Sequence, residues 1–143
     1  MGMRPGVRSR PKPSSEAEQS YAADVALAGR RAELLDAAGE AESQFRQAQV
    51  RRAPDAELRR LALDLDSALT AAMLAAFAAQ RAAIGPRGYD DRIFRRKAWA
   101  KPKVHALTAE AERLLTLRES HRLNGIPAPL FEPSPPGAAV SEA

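Results

Sequence analysis

The densest chemistry in the sequence lies in YDDRIFRRKAWAKPKVH, residues 89–105. Asp90 and Asp91 stand side by side there, followed by Arg92, Arg95, Arg96, Lys97, Lys101 and Lys103, with the chain's single tryptophan, Trp99, among them. Adjacent carboxylates in a loop can hold a divalent cation, but a metal-dependent reaction needs more positioned ligands than these two. Neutralisation of Arg87 and Arg92, or capping of a short helix that starts near residue 92, is the simpler use for them. Asp64 and Asp66 fall on different faces of a helix and form no pair. His105 and His121 belong to no zinc-binding spacing, and there is no cysteine. No glycine loop of the phosphate-cradling kind occurs, and "GPRG" lacks the strand and helix that would make it one. No metal, cofactor or small-molecule substrate is expected, and the sequence reads as non-enzymatic.

The cations suit a surface that grips a partner. If residues 90–101 are helical, Ile93, Phe94 and Ala98 share one side and Arg92, Arg95, Arg96 and Trp99 the other. Three readings follow. The segment is a protein docking pad with Trp99 and its arginines as the anchor. It contacts the backbone of DNA or RNA, with Trp99 stacking on a base. Or it is a solvated cover, with Trp99 folded back over the preceding helix and arginine stems on apolar surface. No helix-turn-helix spacing, zinc finger or RNA-recognition signature appears, which limits nucleic-acid contact to the backbone. The candidate binding residues are therefore Arg92, Arg95, Arg96, Lys97, Trp99, Lys101 and Lys103.

Charge patterning sets this segment apart. Residues 81–103 carry eight basic groups against two acidic ones, more than the net +4 of the whole chain. Residues 1–15 carry four basic groups and no acidic one, while 16–80 are acidic on balance. Such asymmetry points to interaction.

The elements that must position the segment are helices. Alanine is the commonest residue, at 31 of 143, and aromatics make up 5 %. That composition favours an all-α fold, with a thin core because each alanine buries little area. Residues 1–14 form a basic, proline-containing arm. A helical hairpin over 15–84 follows. Its first helix is capped by a Ser15/Glu18 box and carries an apolar face of Tyr21, Val25, Ala28, Ala32, Leu35, Ala38, Phe45 and Ala48. Gly29 and Gly39 weaken it. Pro54 opens the second helix, whose coiled-coil-like seam runs through Leu58, Ala62, Leu65, Leu69, Ala72, Ala76, Ala79 and Ala83. Met73, Phe77 and Ile84 widen that seam. Leu58, Leu65, Leu69, Met73 and Phe77 are expected in the core or in a self-association seam. A short connection makes the pair antiparallel.

Gly85 and Pro86 stop the second helix. The basic connector occupies 85–103, with room for a short helix. A third helix follows over 104–124, with Thr108 as its cap and Gly125 beyond its end. Residues 125–143 form a proline-rich tail in which Ile126, Leu130 and Phe131 are the apolar anchors.

The N-terminus lacks the apolar stretch of a secretory signal, and the longest wholly apolar run, 71–79, is too short to span a bilayer. A cytoplasmic protein without membrane contact is expected, or one inside an assembly built in the cytoplasm. The functional expectation is a helical adaptor or structural subunit of a larger assembly, in the style of small bacterial or phage proteins. Its partner would be another protein or a second copy of itself. The alternative is an accessory protein on DNA or RNA.

Overall fold

The computed structural model describes residues 12–127, and every regular element among them is helical. The elements are α1 (Ser15–Ala28), α2 (Arg31–Val50), α3 (Asp55–Ile84), a 3-10 turn (Pro86–Tyr89), α4 (Arg92–Ala98) and α5 (Pro102–Asn124). Most of the basic arm and most of the proline-rich tail, including Leu130 and Phe131, lie outside the described residues.

Helix ends differ from the sequence reading where local hydrogen bonds decide them. The first helix is capped by Ser14, not Ser15: the Ser14 hydroxyl accepts from the Ala17 amide at 3.0 Å. The helix expected over 15–50 is two helices, because the chain breaks at Gly29 and Arg30. Gly39 causes no break. It sits exposed inside α2, and a Cβ built on it would meet nothing within 4 Å. The missing side chain costs about 1 kcal/mol against alanine and relieves no contact within the fold. The third helix begins at Pro102, which has no amide proton to leave unsatisfied at a first helical position. Thr108 is therefore inside α5, not at its cap, and its hydroxyl donates to the Val104 carbonyl at 2.8 Å.

Pro54 starts a new helix and does not kink an old one. The chain leaves α2 through a left-handed turn in which Arg52 has φ of 53°. The Ala53 amide donates to the Ala48 carbonyl and the Arg52 amide to the Gln49 carbonyl. That pair of bonds is the Schellman arrangement, which normally places glycine where Arg52 stands. At the far end of α3, Gly85 adopts φ of 101°, a conformation that L side chains rarely take.

The described residues group into two compact units. One combines the chain up to Arg31 with Leu74–Ala111. Its interior is small: Ala17, Ala75, Ala76, Ala78 and Ala111, with a cluster of Ile84, Ala98 and Val104 against which Ala83 and Phe94 pack. The other combines Ala32–Met73 with the chain from Glu112 onward. It buries Ala38, Phe45, Ala48, Leu61, Ala62, Leu65, Leu69, Ala72, Met73 and Leu114. Of the expected seam residues, Leu65, Leu69 and Met73 are buried within the single chain, and Leu58 and Phe77 are half-buried. Leu61, Ala75 and Ala78 are buried as well, so α3 is covered over a wider arc than a two-helix seam.

By length and apolar content alone α3 could cross a membrane; half of its most apolar window is buried in the fold.

Polar side chains close the second unit. Arg122 grips Asp66 through two bonds, at 2.6 and 3.2 Å. Arg118 donates to the Thr70 hydroxyl at 2.8 Å, and Arg59 to the Pro127 carbonyl at 2.7 Å. His121 Nε2 lies 2.7 Å from the Ala62 carbonyl. A carbonyl can only accept, so this nitrogen carries the proton. The same ring meets Phe45 edge-on at 5.6 Å.

The Arg52 turn supplies a test. Arg52→Gly is expected to raise the free energy of unfolding by up to about 1 kcal/mol, the usual penalty of a left-handed residue with a Cβ. Arg52→Val is expected to lower it, because a β-branched residue fits that region worst. Urea unfolding midpoints of the three proteins decide the order.

Candidate functional site

The only buried charged residue among those described is Asp24, 9 % exposed. Sequence periodicity missed it. The apolar face was drawn through Tyr21 and Val25, yet Val25 is 45 % exposed and Asp24 takes its place on the inner side. The available signal was the run Ala17, Tyr21, Asp24, Ala28, at spacings of four, three and four. An aspartate in that register needs partners, and it has two. Arg81 on α3 donates Nε and Nη2 to its two oxygens at 2.8 and 3.0 Å. The Tyr89 hydroxyl donates to Oδ2. Tyr21 stacks edge-on against Tyr89, with ring centroids 6.5 Å apart.

Burial alone would push the Asp24 carboxyl up. Hydrogen bonds from Arg81 and Tyr89, with the charge of Arg81, outweigh it and hold the group below the ordinary carboxylate range. Burial and the neighbouring carboxylate push the Tyr89 phenol well above its ordinary value. Asp24 is thus held ionised and Tyr89 protonated, and neither is poised to exchange a proton near neutrality. The cluster is a clamp that joins α1, α3 and the 3-10 turn. Gly88 completes the corner: it is buried, a Cβ there would come within 2.5 Å of Ile84 Cγ2, and its carbonyl accepts from Arg95 at 2.9 Å.

The acidic pair is divided between two structural tasks. Asp90 accepts from the Ser14 amide and hydroxyl at 2.8 and 3.0 Å. Asp91 caps α4 by accepting from the Phe94 amide at 2.9 Å. That bond leads the causes, with Arg87 3.3 Å away adding to them, that hold the Asp91 carboxyl low. The Arg87 guanidinium also lies 4.6 Å from the centroid of the Phe94 ring. Among the described residues no group of three or more His, Asp and Glu is placed to hold a metal ion.

Helix α4 divides the basic segment differently from the sequence reading. Ala98 is buried and Phe94 half-buried, as expected. Ile93 is 69 % exposed instead of sharing their side, because one residue before Phe94 on a seven-residue helix turns it to water. Arg95 leaves the outer group, drawn inward by the Gly88 carbonyl. Trp99 is 48 % exposed, so about half of its surface is left open to solvent. The outer surface is thus Arg92, Ile93, Arg96, Lys97 and Trp99, followed by exposed Lys101 and Lys103. None of these five cations forms an ion pair among the described residues, whereas Arg87 and Arg81 of the same unit do.

Comparison with protein-family models, with curated proteins and with solved structures finds no match to this chain.

The clamp predicts a specific pH response. Asp24 is depressed, so its stabilisation is present above the unfolded value near ~3.9 and is lost as pH falls through its lower folded value. Tyr89 is raised, so its share is present below about 10 and is lost as pH climbs through its higher folded value. Asp24→Asn should lower stability at pH 7 by about 1–3 kcal/mol, the worth of a hydrogen bond to a charged group, and should flatten the acid side of the profile. Thermal melts from pH 2 to pH 7 check both, within the window these shifts define.

Proposed function

We propose that this chain is a non-enzymatic helical adaptor or structural subunit of a larger assembly, of the bacterial or phage kind, and that it docks through the Trp99 face of α4. One observation carries the reading: the sole tryptophan, half exposed, and the exposed Ile93 stand beside cations that have no carboxylate partner among the described residues. Tryptophan and arginine are among the residues enriched at interface anchors. The rest of the unit gives that face a rigid base, since Ala98 is buried and Asp91 caps the helix. We also infer that α2 and α3 pair as an antiparallel hairpin, a reading supported by the four-residue connection and by the Arg51–Glu57 ion pair beside it.

A second reading, backbone contact with DNA or RNA, is favoured by the same unpaired cations. Ile93 argues against it, because an aliphatic side chain gains nothing from a phosphate.

Two measurements separate the readings. Tagged wild-type protein is expected to retain partner proteins from its host extract that Trp99→Ala protein loses, with both melting at the same temperature. Equal retention overturns the docking face. Binding to random duplex and single-stranded DNA is expected to be absent even at about 50 mM salt; binding that falls steeply with salt would move the reading to nucleic acid.

A further inference from the structure

From the residues on both surfaces we infer that the occupant of the Trp99 face is a second copy of this chain, and that the seat is the outer face of α2 around Gly39. This inference rests on the docking reading above and names its partner. On α4, Arg92 and Arg96 are exposed and four residues apart. On α2, Asp36 and Glu40 are exposed and four residues apart. Residues at that spacing stand about 5–6 Å apart on one face of a helix, so two arginines of one copy can meet two carboxylates of the other in register. Asp36 has no ion pair among the described residues, and Glu40 only accepts a bond from Gln44 at 3.2 Å. The neighbouring Glu42 is already paired with Arg46.

The shape of the seat agrees with its charge. Gly39, Ser43, Gln47 and Val50, with the paired Glu42 and Arg46, line a shallow open groove beside these carboxylates. The fold has no use for the missing side chain at Gly39, since a Cβ there meets nothing. A partner pressing onto α2 would use that space. Val50 is 80 % exposed at one end of the groove. Trp99 and Ile93, on either side of the arginines, are the apolar side chains that would meet it. Each copy carries one face of each kind, so the chain is complementary to itself. A chain that builds an assembly from itself needs that property.

The test uses full-length protein in sedimentation velocity across a concentration series. Wild type is expected to grow in mass with concentration at about 50 mM salt and to shrink towards monomer at about 500 mM, where charges are screened within a few ångströms. Arg92→Glu/Arg96→Glu and Asp36→Lys/Glu40→Lys should each be monomeric, with unchanged circular dichroism. Mixed in equal amounts they should assemble again, because the intact α2 seat of the first meets the intact α4 face of the second and the two reversed faces also carry opposite charges. A monomeric wild type, growth that either double variant leaves intact, or a mixture that stays monomeric overturns the inference. A monomeric wild type whose extract partners still depend on Trp99 would overturn only the second copy as occupant. Retention indifferent to Trp99 would overturn the docking face itself.

Discussion

Alanine has a side chain one carbon deep, and α3 buries five of them completely: Ala62, Ala72, Ala75, Ala76 and Ala78. A neighbour must come near the helix backbone to cover such a surface, and the area gained per residue is small. Both compact units live under this constraint. Where larger side chains are available, as at Phe45, Leu65, Leu69 and Leu114, burial carries the load. Where they are scarce, in the unit of α1 and α4, a charged clamp joins the elements. Asp24 could not sit inside without Arg81 and Tyr89, and besides this clamp α1 is held by Ala17, the ring of Tyr21 and the bonds from its cap Ser14 to Asp90. Thin apolar packing and the buried carboxylate are two aspects of one design.

The clamp and the exposed Trp99 face sit in the same unit and divide its charges. Arg81, Arg87 and Arg95 turn inward or pair, and each has a structural bond. Arg92, Arg96, Lys97, Lys101 and Lys103 remain outside. Two aspartates that a sequence reading could treat as a metal pair are both consumed as anchors, Asp90 for Ser14 and Asp91 for Phe94. Neutralisation of the segment is therefore selective, and the remaining positive charge is concentrated beside the tryptophan.

Much of the fold was legible in the sequence because helices announce themselves by period. The buried face of α3, the stop at Gly85 and Pro86, and the short helix in the connector are readable from spacing and from residues that cannot continue a helix. Local alternatives were less legible. Ser14 and Ser15 are equally good caps by type, and only the hydrogen bond to Ala17 separates them. Asp24 escaped because polarity was taken to mean exposure, although the face it belongs to runs through Ala17, Tyr21 and Ala28. Arg95 and Ile93 exchanged sides for a similar reason: in a helix of seven residues one carbonyl, that of Gly88, can outvote the wheel.

The tryptophan has one more consequence. The chain holds a single indole, and it stands half in water at the centre of the surface that would be covered on binding. Its fluorescence in the free protein belongs to a polar surrounding, and the signal comes from no other site. If that face is occupied as proposed, the molecule carries its own optical gauge: the change in emitted light would read the fraction of the face that is covered, without a label and without altering any residue that does the covering.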